Sequence, residues 1–179
     1  MVSPRKSGTH NTTLLAMAIL ISFGLAGCVD GASQADSYAL AGLATELQTL
    51  KKSADLESST TDSPETVAQR IQGGSVGRVL PSQLDSNASN LGSSFVAIYD
   101  ISTSGNTVTF HAVLQSSGVS GGGWTLKARG RYTCIAVDMR VPRQNSHSTV
   151  EEVACRGDID VLLKAVSDNH HASLSQLDG

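Results

Sequence analysis

The spacing of apolar residues changes from a helical period to a strand period near the middle of the chain. Four leucines recur at intervals of three and four, and this spacing predicts a helix over 35–53 with one apolar face. These are Leu40, Leu43, Leu47 and Leu50. From Ser94 onwards apolar and polar residues alternate, which is typical of strands in a half-buried sheet. The pattern therefore predicts helices first and a sheet afterwards.

A second, shorter helix is predicted to begin at Ser63 and Pro64. A serine can cap free backbone N–H groups, and a proline fits the first helical turn. The glycines at 73–74 would end this helix. The stretch 75–93 is rich in Ser, Asn and Gly, and we expect an irregular connection there with room for one short turn or strand.

The alternating region predicts four strands. The first two form a hairpin around a turn at 103–106. A glycine-rich turn at 116–123 then leads into a long third strand over 124–139. Gly130 within that strand predicts a bulge or bend. A fourth strand is expected over 149–155.

A short helix and a polar tail follow the strands. Asp158 is predicted to cap a helix that runs to about Val166. Residues 167–179 are polar and are expected to form a flexible tail. The predicted fold is α+β, with N-terminal helices packed on a curved antiparallel sheet of about four strands and a short C-terminal helix. This order is compatible with cone-like α+β folds, an analogy that concerns fold and not function.

The beginning of the chain has the features of an export signal. Arg5 and Lys6 precede an almost wholly apolar run over 14–25. This run is shorter than the about 20 residues that a membrane-spanning helix needs. A cationic segment followed by a short apolar run is typical of signal peptides. The tetrapeptide at 25–28 is Leu-Ala-Gly-Cys.

This tetrapeptide resembles the lipobox of bacterial lipoproteins, in which an apolar residue and two small residues precede a cysteine. The resemblance covers the first 28 residues only. It implies cleavage between Gly27 and Cys28, with a diacylglyceryl group on the Cys28 thiol. Further acylation of the Cys28 amine, as by palmitate, occurs in many proteins of this class.

The resemblance predicts a protein held on the extracytoplasmic side of a cell-envelope membrane. Together with the elements predicted above, it divides the chain into a signal peptide at 1–27, a lipidated tether at 28–34, a single domain at 35–166 and a flexible tail at 167–179. Two alternatives stay open: an ordinary secretory signal in which Cys28 is incidental, and an uncleaved apolar anchor.

The two other cysteines, Cys134 and Cys155, are an even pair in a chain that is expected to be exported. Oxidising compartments favour disulfides, so we predict one bridge between them. The alternative is a redox or metal pair. That alternative is disfavoured because the spacing is not Cys-x-x-Cys and no histidine cluster lies nearby.

Charge argues against two classes of partner. The leader holds two of the 13 basic residues and none of the 16 acidic ones, so the chain after residue 27 carries a formal charge of −5. An acidic surface of this kind does not favour nucleic acid or anionic membranes. We therefore expect no nucleic-acid partner, and we expect membrane attachment through the lipid on Cys28.

Motif by motif, the chain shows no catalytic signature. The glycines at 118–123 lack the Lys and the following helix that a phosphate-binding loop needs. The adjacent His170 and His171 diverge on a helix and fall in the predicted tail, and Asp158 and Asp160 suit a helix start. No Ser or Cys lies in a recognised nucleophile context. No catalytic residue, metal site or cofactor is predicted.

One group of basic residues is a weak candidate for a binding site. Lys127, Arg129 and Arg131 alternate along the third strand, which places three cations on one sheet face. A simple hairpin register would bring His111 beside Arg129. These four residues are a candidate site for an anionic ligand. The alternative is a solvated outer face that nearby carboxylates partly neutralise.

The sequence thus predicts a membrane-anchored lipoprotein of the cell envelope whose domain binds a partner or ligand without catalysing a reaction. Two alternatives remain: an envelope-associated hydrolase or accessory enzyme with an unrecognised site, and a surface structural subunit.

Overall fold

The computed structural model describes residues 30–60, 62–82, 94–122, 125–142, 147–166 and 168–177. The chain divides into two compact units, 1–30 and 31–179. Every helix and strand described below belongs to the second unit. Cys28 lies outside the described residues, so the predictions made for it stay predictions.

The second unit has an α+β fold, as predicted. Its described residues form three helices: α1 (Gly31–Ser58), α2 (Pro64–Gln72) and α3 (Gly157–Ala165). The strands are β1 (Arg78–Val79), β2 (Phe95–Ser104), β3 (Thr107–Ser120), β4 (Lys127–Arg140), β5 (Thr149–Glu152) and β6 (Asn169–His171). A 3-10 turn, Leu174–Gln176, follows β6.

The six described strands form one mixed sheet. Its order is β1-β2-β3-β4-β5, and β6 pairs with β4 outside this path. The pairs from β2 to β5 are antiparallel, whereas β1 with β2 and β4 with β6 are parallel. The prediction of about four antiparallel strands therefore misses two short parallel strands, because two- and three-residue strands carry too little periodicity to be seen in a sequence.

Helix α1 covers one face of the sheet and supplies the larger core. Leu43, Leu47 and Leu50 are buried there with apolar residues of β2, β3 and β4, which confirms the leucine face. A smaller buried cluster on the other face includes Tyr99, Tyr132 and residues of α3. Both sheet faces are thus covered over part of their length.

The first part of α1 lies unusually close to β3. A Cβ added to Gly118 would overlap the Ala35 carbonyl oxygen, and one added to Gly42 would overlap Ser116 Oγ. Only residues without a Cβ allow this approach. The glycine-rich stretch predicted as a turn is consequently strand as far as Ser120.

Helix α1 begins earlier than the leucine pattern predicts. Its first turn starts at Gly31, so residues 31–34, which were predicted to belong to the tether, are helical. Helix α2 begins as predicted, with Ser63 Oγ accepting a hydrogen bond from the Thr66 N–H and Pro64 in the first turn.

The start of α3 differs from the prediction. Its N-cap residue is Arg156, and Asp158 lies inside the first turn. The Asp158 carboxylate accepts a hydrogen bond from the neighbouring Ile159 N–H and pairs with the Arg156 guanidinium. Asp158 therefore holds the helix start from within the helix.

The described part of the predicted flexible tail, 168–177, is packed against the sheet. Asn169–His171 forms β6 beside residues 130–132 of β4, and Ala172 and Leu177 are buried in the larger core. A Cβ on Gly130 would lie 2.6 Å from Asn169 Oδ1, so this glycine makes room for β6 and does not interrupt β4. The predicted bulge is wrong at Gly130, because the β3–β4 register runs without a break.

Candidate functional site

The predicted disulfide is present. Cys134 in β4 is bonded to Cys155, with their Cα atoms 5.2 Å apart. Cys155 follows β5 and closely precedes α3, so the bridge ties the start of α3 to the centre of the sheet. Cys134 lies in the smaller core and Cys155 packs against it, which indicates a structural bridge.

Two of the three predicted anion-binding residues of β4, Arg129 and Arg131, are engaged with carboxylates. Arg131 Nη2 donates to Asp36 Oδ2 of α1 at 2.7 Å, and its Nε donates to the other oxygen at 2.5 Å. This hydrogen bonding from Arg131 lowers the pKa of Asp36 below its ordinary value. Arg129 Nη1 pairs with Asp168 Oδ1 at 2.7 Å, and Lys127 is exposed. An anionic ligand would have to compete with Asp36 and Asp168 for the two arginines.

The register separates His111 from this group. His111 lies opposite Ala136 and next to Tyr99, whereas Gly118 lies opposite Arg129. The prediction that His111 faces Arg129 is wrong, because β3 continues as a strand to Ser120 and pairs His111 with Ala136. The four predicted anion-binding residues therefore do not form one site.

The described structure has a different candidate site near Tyr99. A groove of about 360 Å³ lies between α2, β1 and the second half of β2, with Arg156 at its border. This volume falls within the range of about 300–1,000 Å³ that is common for small-molecule sites. We call it the Tyr99 groove.

Tyr99 contributes a buried hydroxyl group beside this groove. Its side chain is only 2% exposed, and its hydroxyl has no hydrogen-bond partner of acceptable geometry among the described residues. Burial raises the pKa of the phenol, although the nearby backbone N–H of Arg156 partly opposes this effect. The hydroxyl is therefore neutral at ordinary pH and able to donate a hydrogen bond.

Arg156 and His111 hold the Tyr99 ring from two sides. The Arg156 guanidinium carbon lies 5.2 Å from the ring centroid, within the range of a cation–π contact. The His111 ring meets it edge-on with centroids 5.6 Å apart. Asp158 binds the Arg156 guanidinium through both carboxylate oxygens, at 2.7 and 3.0 Å. The Tyr99 ring is thus held in part by the Arg156 guanidinium, which Asp158 holds in place.

The backbone beside Tyr99 is irregular. Asp100 has φ = 53°, an uncommon value for a residue other than glycine, and the β2–β3 register shifts between Tyr99 and Ser102. Bulges of this kind re-aim side chains and are over-represented next to functional sites. The Asp100 carboxylate lies 3.8 Å from both Arg156 Nη1 and His111 Nδ1.

A second groove lies beside the disulfide, between Tyr132, Lys164 and His171. His171 Nε2 lies 3.5 Å from Glu152 Oε1, and its ring meets Tyr132 edge-on at 5.6 Å. The Glu152 carboxylate also accepts a hydrogen bond from the Leu174 N–H. These contacts attach the C-terminal segment to β5, which accounts for them structurally.

The sequence did not indicate the Tyr99 groove. Its members come from β2, α2 and the residue before α3, and only the fold brings them together. The one local signal is the polar Asp100 within an otherwise alternating apolar strand, where a bulge changes the direction of the side chains. Among the described residues no group of three His, Cys, Asp or Glu side chains could hold a metal ion.

Comparison with known proteins found no similar protein. No family model, no curated protein and no solved structure matches this chain. Across the described part of the chain, no helix has both the length and the apolar character needed to cross a membrane.

Proposed function

We propose that this protein is a lipoprotein of the cell envelope, anchored through Cys28, whose domain binds a small polar ligand in the Tyr99 groove. Residues 1–27 act as a signal peptide and are removed. The diacylglyceryl group on Cys28 then holds the domain on the extracytoplasmic side of a membrane. The protein carries out no reaction and acts by binding.

The buried hydroxyl of Tyr99 is the observation that carries the binding proposal. An unpartnered buried hydroxyl costs about 1–3 kcal/mol in the free protein. This hydroxyl has almost no accessible surface in the free protein, so a ligand reaches it only after a local opening of the packing, and it then recovers this cost by accepting the hydrogen bond. Packing against Arg156 and His111 fixes the position of the Tyr99 ring, which limits the conformational entropy that this side chain loses on binding.

The charges around the groove favour a neutral or zwitterionic ligand. Glu65 and Asp100 line the groove together with Arg156, and Arg156 already pairs with Asp158. A strongly anionic molecule would meet two carboxylates and one occupied guanidinium. We therefore expect a polar molecule with an exposed carbonyl or hydroxyl oxygen, such as a short peptide or an amide-bearing sugar.

The anchor is tested by the mass of the protein extracted from membranes. We expect a mass that lacks residues 1–27 and includes a diacylglyceryl group. The Cys28→Ser variant should lose both the added lipid mass and membrane retention. A mature mass that retains residues 1–27 would contradict the anchor.

Binding is tested by NMR titration of the processed protein in detergent micelles, with alanyl-alanine and N-acetylglucosamine as probes. Shifts should concentrate on amides of the Tyr99 groove. Loss of the hydroxyl in Tyr99→Phe should weaken binding about tenfold, which corresponds to about 1.4 kcal/mol. Tyr38→Phe on the exposed face of α1 is the matched control and should bind as the wild type does. Equal affinity of Tyr99→Phe and wild type would exclude the hydroxyl as the binding donor.

A further inference from the structure

The far end of the β3–β4 hairpin exposes apolar side chains. Val119 pairs with Ala128 across the hairpin, and Leu126 lies just before Lys127, the partner of Ser120. Val119 is 50% exposed and Leu126 is 60% exposed. We call these two residues, with Ala128 and Lys127, the hairpin tip.

The chain enters the domain at this tip. Ser120 Oγ donates a hydrogen bond to the Gly31 carbonyl oxygen, at the first residue of α1. A Cβ added to Gly31 would also lie 3.7 Å from Lys127 Cγ. The start of α1 and the hairpin tip therefore lie at the same end of the domain.

Chain length then limits how far the anchor can be from the tip. Three peptide units separate Cys28 from Gly31, and consecutive Cα atoms are about 3.8 Å apart, so the two Cα atoms lie within about 11 Å. This distance is comparable to the polar headgroup region of one leaflet plus one side-chain layer. With a lipid on Cys28, the domain must therefore lie close to the membrane surface, because the connecting chain is too short to separate the two.

The charges at this end permit close approach to lipid. Arg129 and Arg131 hold Asp168 and Asp36 in ion pairs, which neutralises both carboxylates. Lys127 balances Asp30 in formal charge. Exposed apolar side chains on a nearly neutral surface suit the boundary between headgroups and acyl chains.

We propose that the hairpin tip is a membrane-seating surface, in which Val119 and Leu126 enter the headgroup boundary of the bilayer that holds the Cys28 lipid. This inference rests on the lipid anchor proposed above. It also sets the orientation of the domain. The Tyr99 groove, near the opposite end of β3, then faces away from the membrane, roughly 30 Å along the strand from Val119.

The orientation is tested with a tryptophan reporter and brominated lipids. Trp124 is the chain's one tryptophan. In one variant Trp124→Phe is combined with Leu126→Trp, which places the reporter on the tip. In the matched variant Trp124→Phe is combined with Leu56→Trp, since Leu56 is 72% exposed and lies near the end of α1 remote from Gly31. Each processed protein is reconstituted in phosphatidylcholine vesicles with bromine on the acyl chains.

We expect quenching at position 126 to exceed that at position 56 at least about threefold, because interfacial side chains enter about 5–10 Å into the acyl boundary. Adding Val119→Ser should reduce the quenching at position 126. Equal quenching at both positions, or quenching at neither, would overturn the proposal. So would a blue shift at position 126 that depends on protein concentration and not on lipid, since that result indicates a second copy on the tip.

Intact mass separates the two proposals. A protein without lipid on Cys28 would overturn both the anchor and the seating surface. A protein that carries the lipid and floats with vesicles, but shows no selective quenching, would overturn the seating surface alone.

Discussion

At the scale of single residues, Tyr99 is the position where stability and binding are expected to conflict. The ring is held firmly, and its hydroxyl is buried without a hydrogen-bond partner among the described residues. A residue chosen for stability alone would be phenylalanine. The ligand proposed for the Tyr99 groove would account for the hydroxyl at this position.

Replacing Tyr99 by Phe should therefore leave the free energy of unfolding unchanged or raise it by up to about 1 kcal/mol, because the variant no longer buries an unpaired hydroxyl. Urea denaturation of the ligand-free protein measures this. Tyr38→Phe, at an exposed site, should stay within about 0.5 kcal/mol of wild type. A loss of more than about 1 kcal/mol in Tyr99→Phe would mean that the hydroxyl is already bonded.

The Asp36–Arg131 pair predicts a pH dependence of stability. Hydrogen bonding from Arg131 holds the pKa of Asp36 below its ordinary value of 3.8 in the folded state. The stabilisation is thus present above pH 3.8 and is lost as pH falls through the lower folded value. Asp36→Asn should destabilise the protein by about 1–3 kcal/mol at about pH 7, and by less at about pH 3.

Denaturation of wild type and Asp36→Asn at the two pH values checks this expectation. Asp160→Asn is the control, because Asp160 forms an exposed i,i+4 pair with Lys164. Such a pair contributes about 0.2–0.5 kcal/mol. A pH-independent effect of Asp36→Asn would show that packing, not charge, accounts for its contribution.

At the scale of elements, the helices and the main strands could be predicted because their signals are local. The leucine spacing indicates α1, and Ser63 with Pro64 marks the start of α2. The alternation after Ser94 indicates the strands. The extent of β3 could not be predicted, because Gly118 has the composition of a turn residue. It serves instead to let α1 lie close to the sheet, a contact between segments about 80 positions apart.

Gly118→Ala tests this explanation. The added methyl group would overlap the Ala35 backbone, and overpacking of this kind costs about 1–3 kcal/mol or more. Gly122→Ala is the matched control, because no described atom lies within 4 Å of the place its methyl group would take, and its stability should hardly change. Thermal denaturation of both variants gives the comparison. Equal melting temperatures would contradict close helix packing on Gly118.

The C-terminal segment is a second element whose role depends on distant contacts. Its polar composition predicts a free tail, yet Ala172 and Leu177 are buried in the core. Truncation after Val166 should therefore lower the unfolding free energy by about 2–5 kcal/mol, the range for lost core side chains. Ser175→Ala, at an exposed position of the same segment, should have little effect. A truncated protein as stable as wild type would restore the flexible-tail prediction.

At the scale of the whole molecule, the disulfide makes the stability of the fold depend on the redox state of its surroundings. The bridge between Cys134 and Cys155 closes a loop with a sequence separation of 21. A loop of this size is expected to stabilise the folded state by about 3 kcal/mol. Replacing both cysteines by alanine should lower the unfolding free energy by about that amount, as urea denaturation can measure.

Reduction of the wild type provides an independent measurement of the same effect. Dithiothreitol should destabilise the wild type and leave the double alanine variant unchanged. An equal response of both proteins would assign the effect to something other than the bridge. A domain that depends on this bridge would be more stable in an oxidising compartment than in a reducing one.

Local patterns in the chain are enough to assign the main helices and strands and the α+β class, because period and capping act over a few positions. The pairing of two cysteines follows from their number and from the expected export of the chain. The β3–β4 register, the place of β6 and the carboxylate partners of Arg129 and Arg131 follow from the folded arrangement instead. So do the assembly of the Tyr99 groove and the position of the start of α1 at the hairpin tip. The reason is physical: each of these features is a contact between segments far apart in the chain, and such contacts leave no period in the sequence.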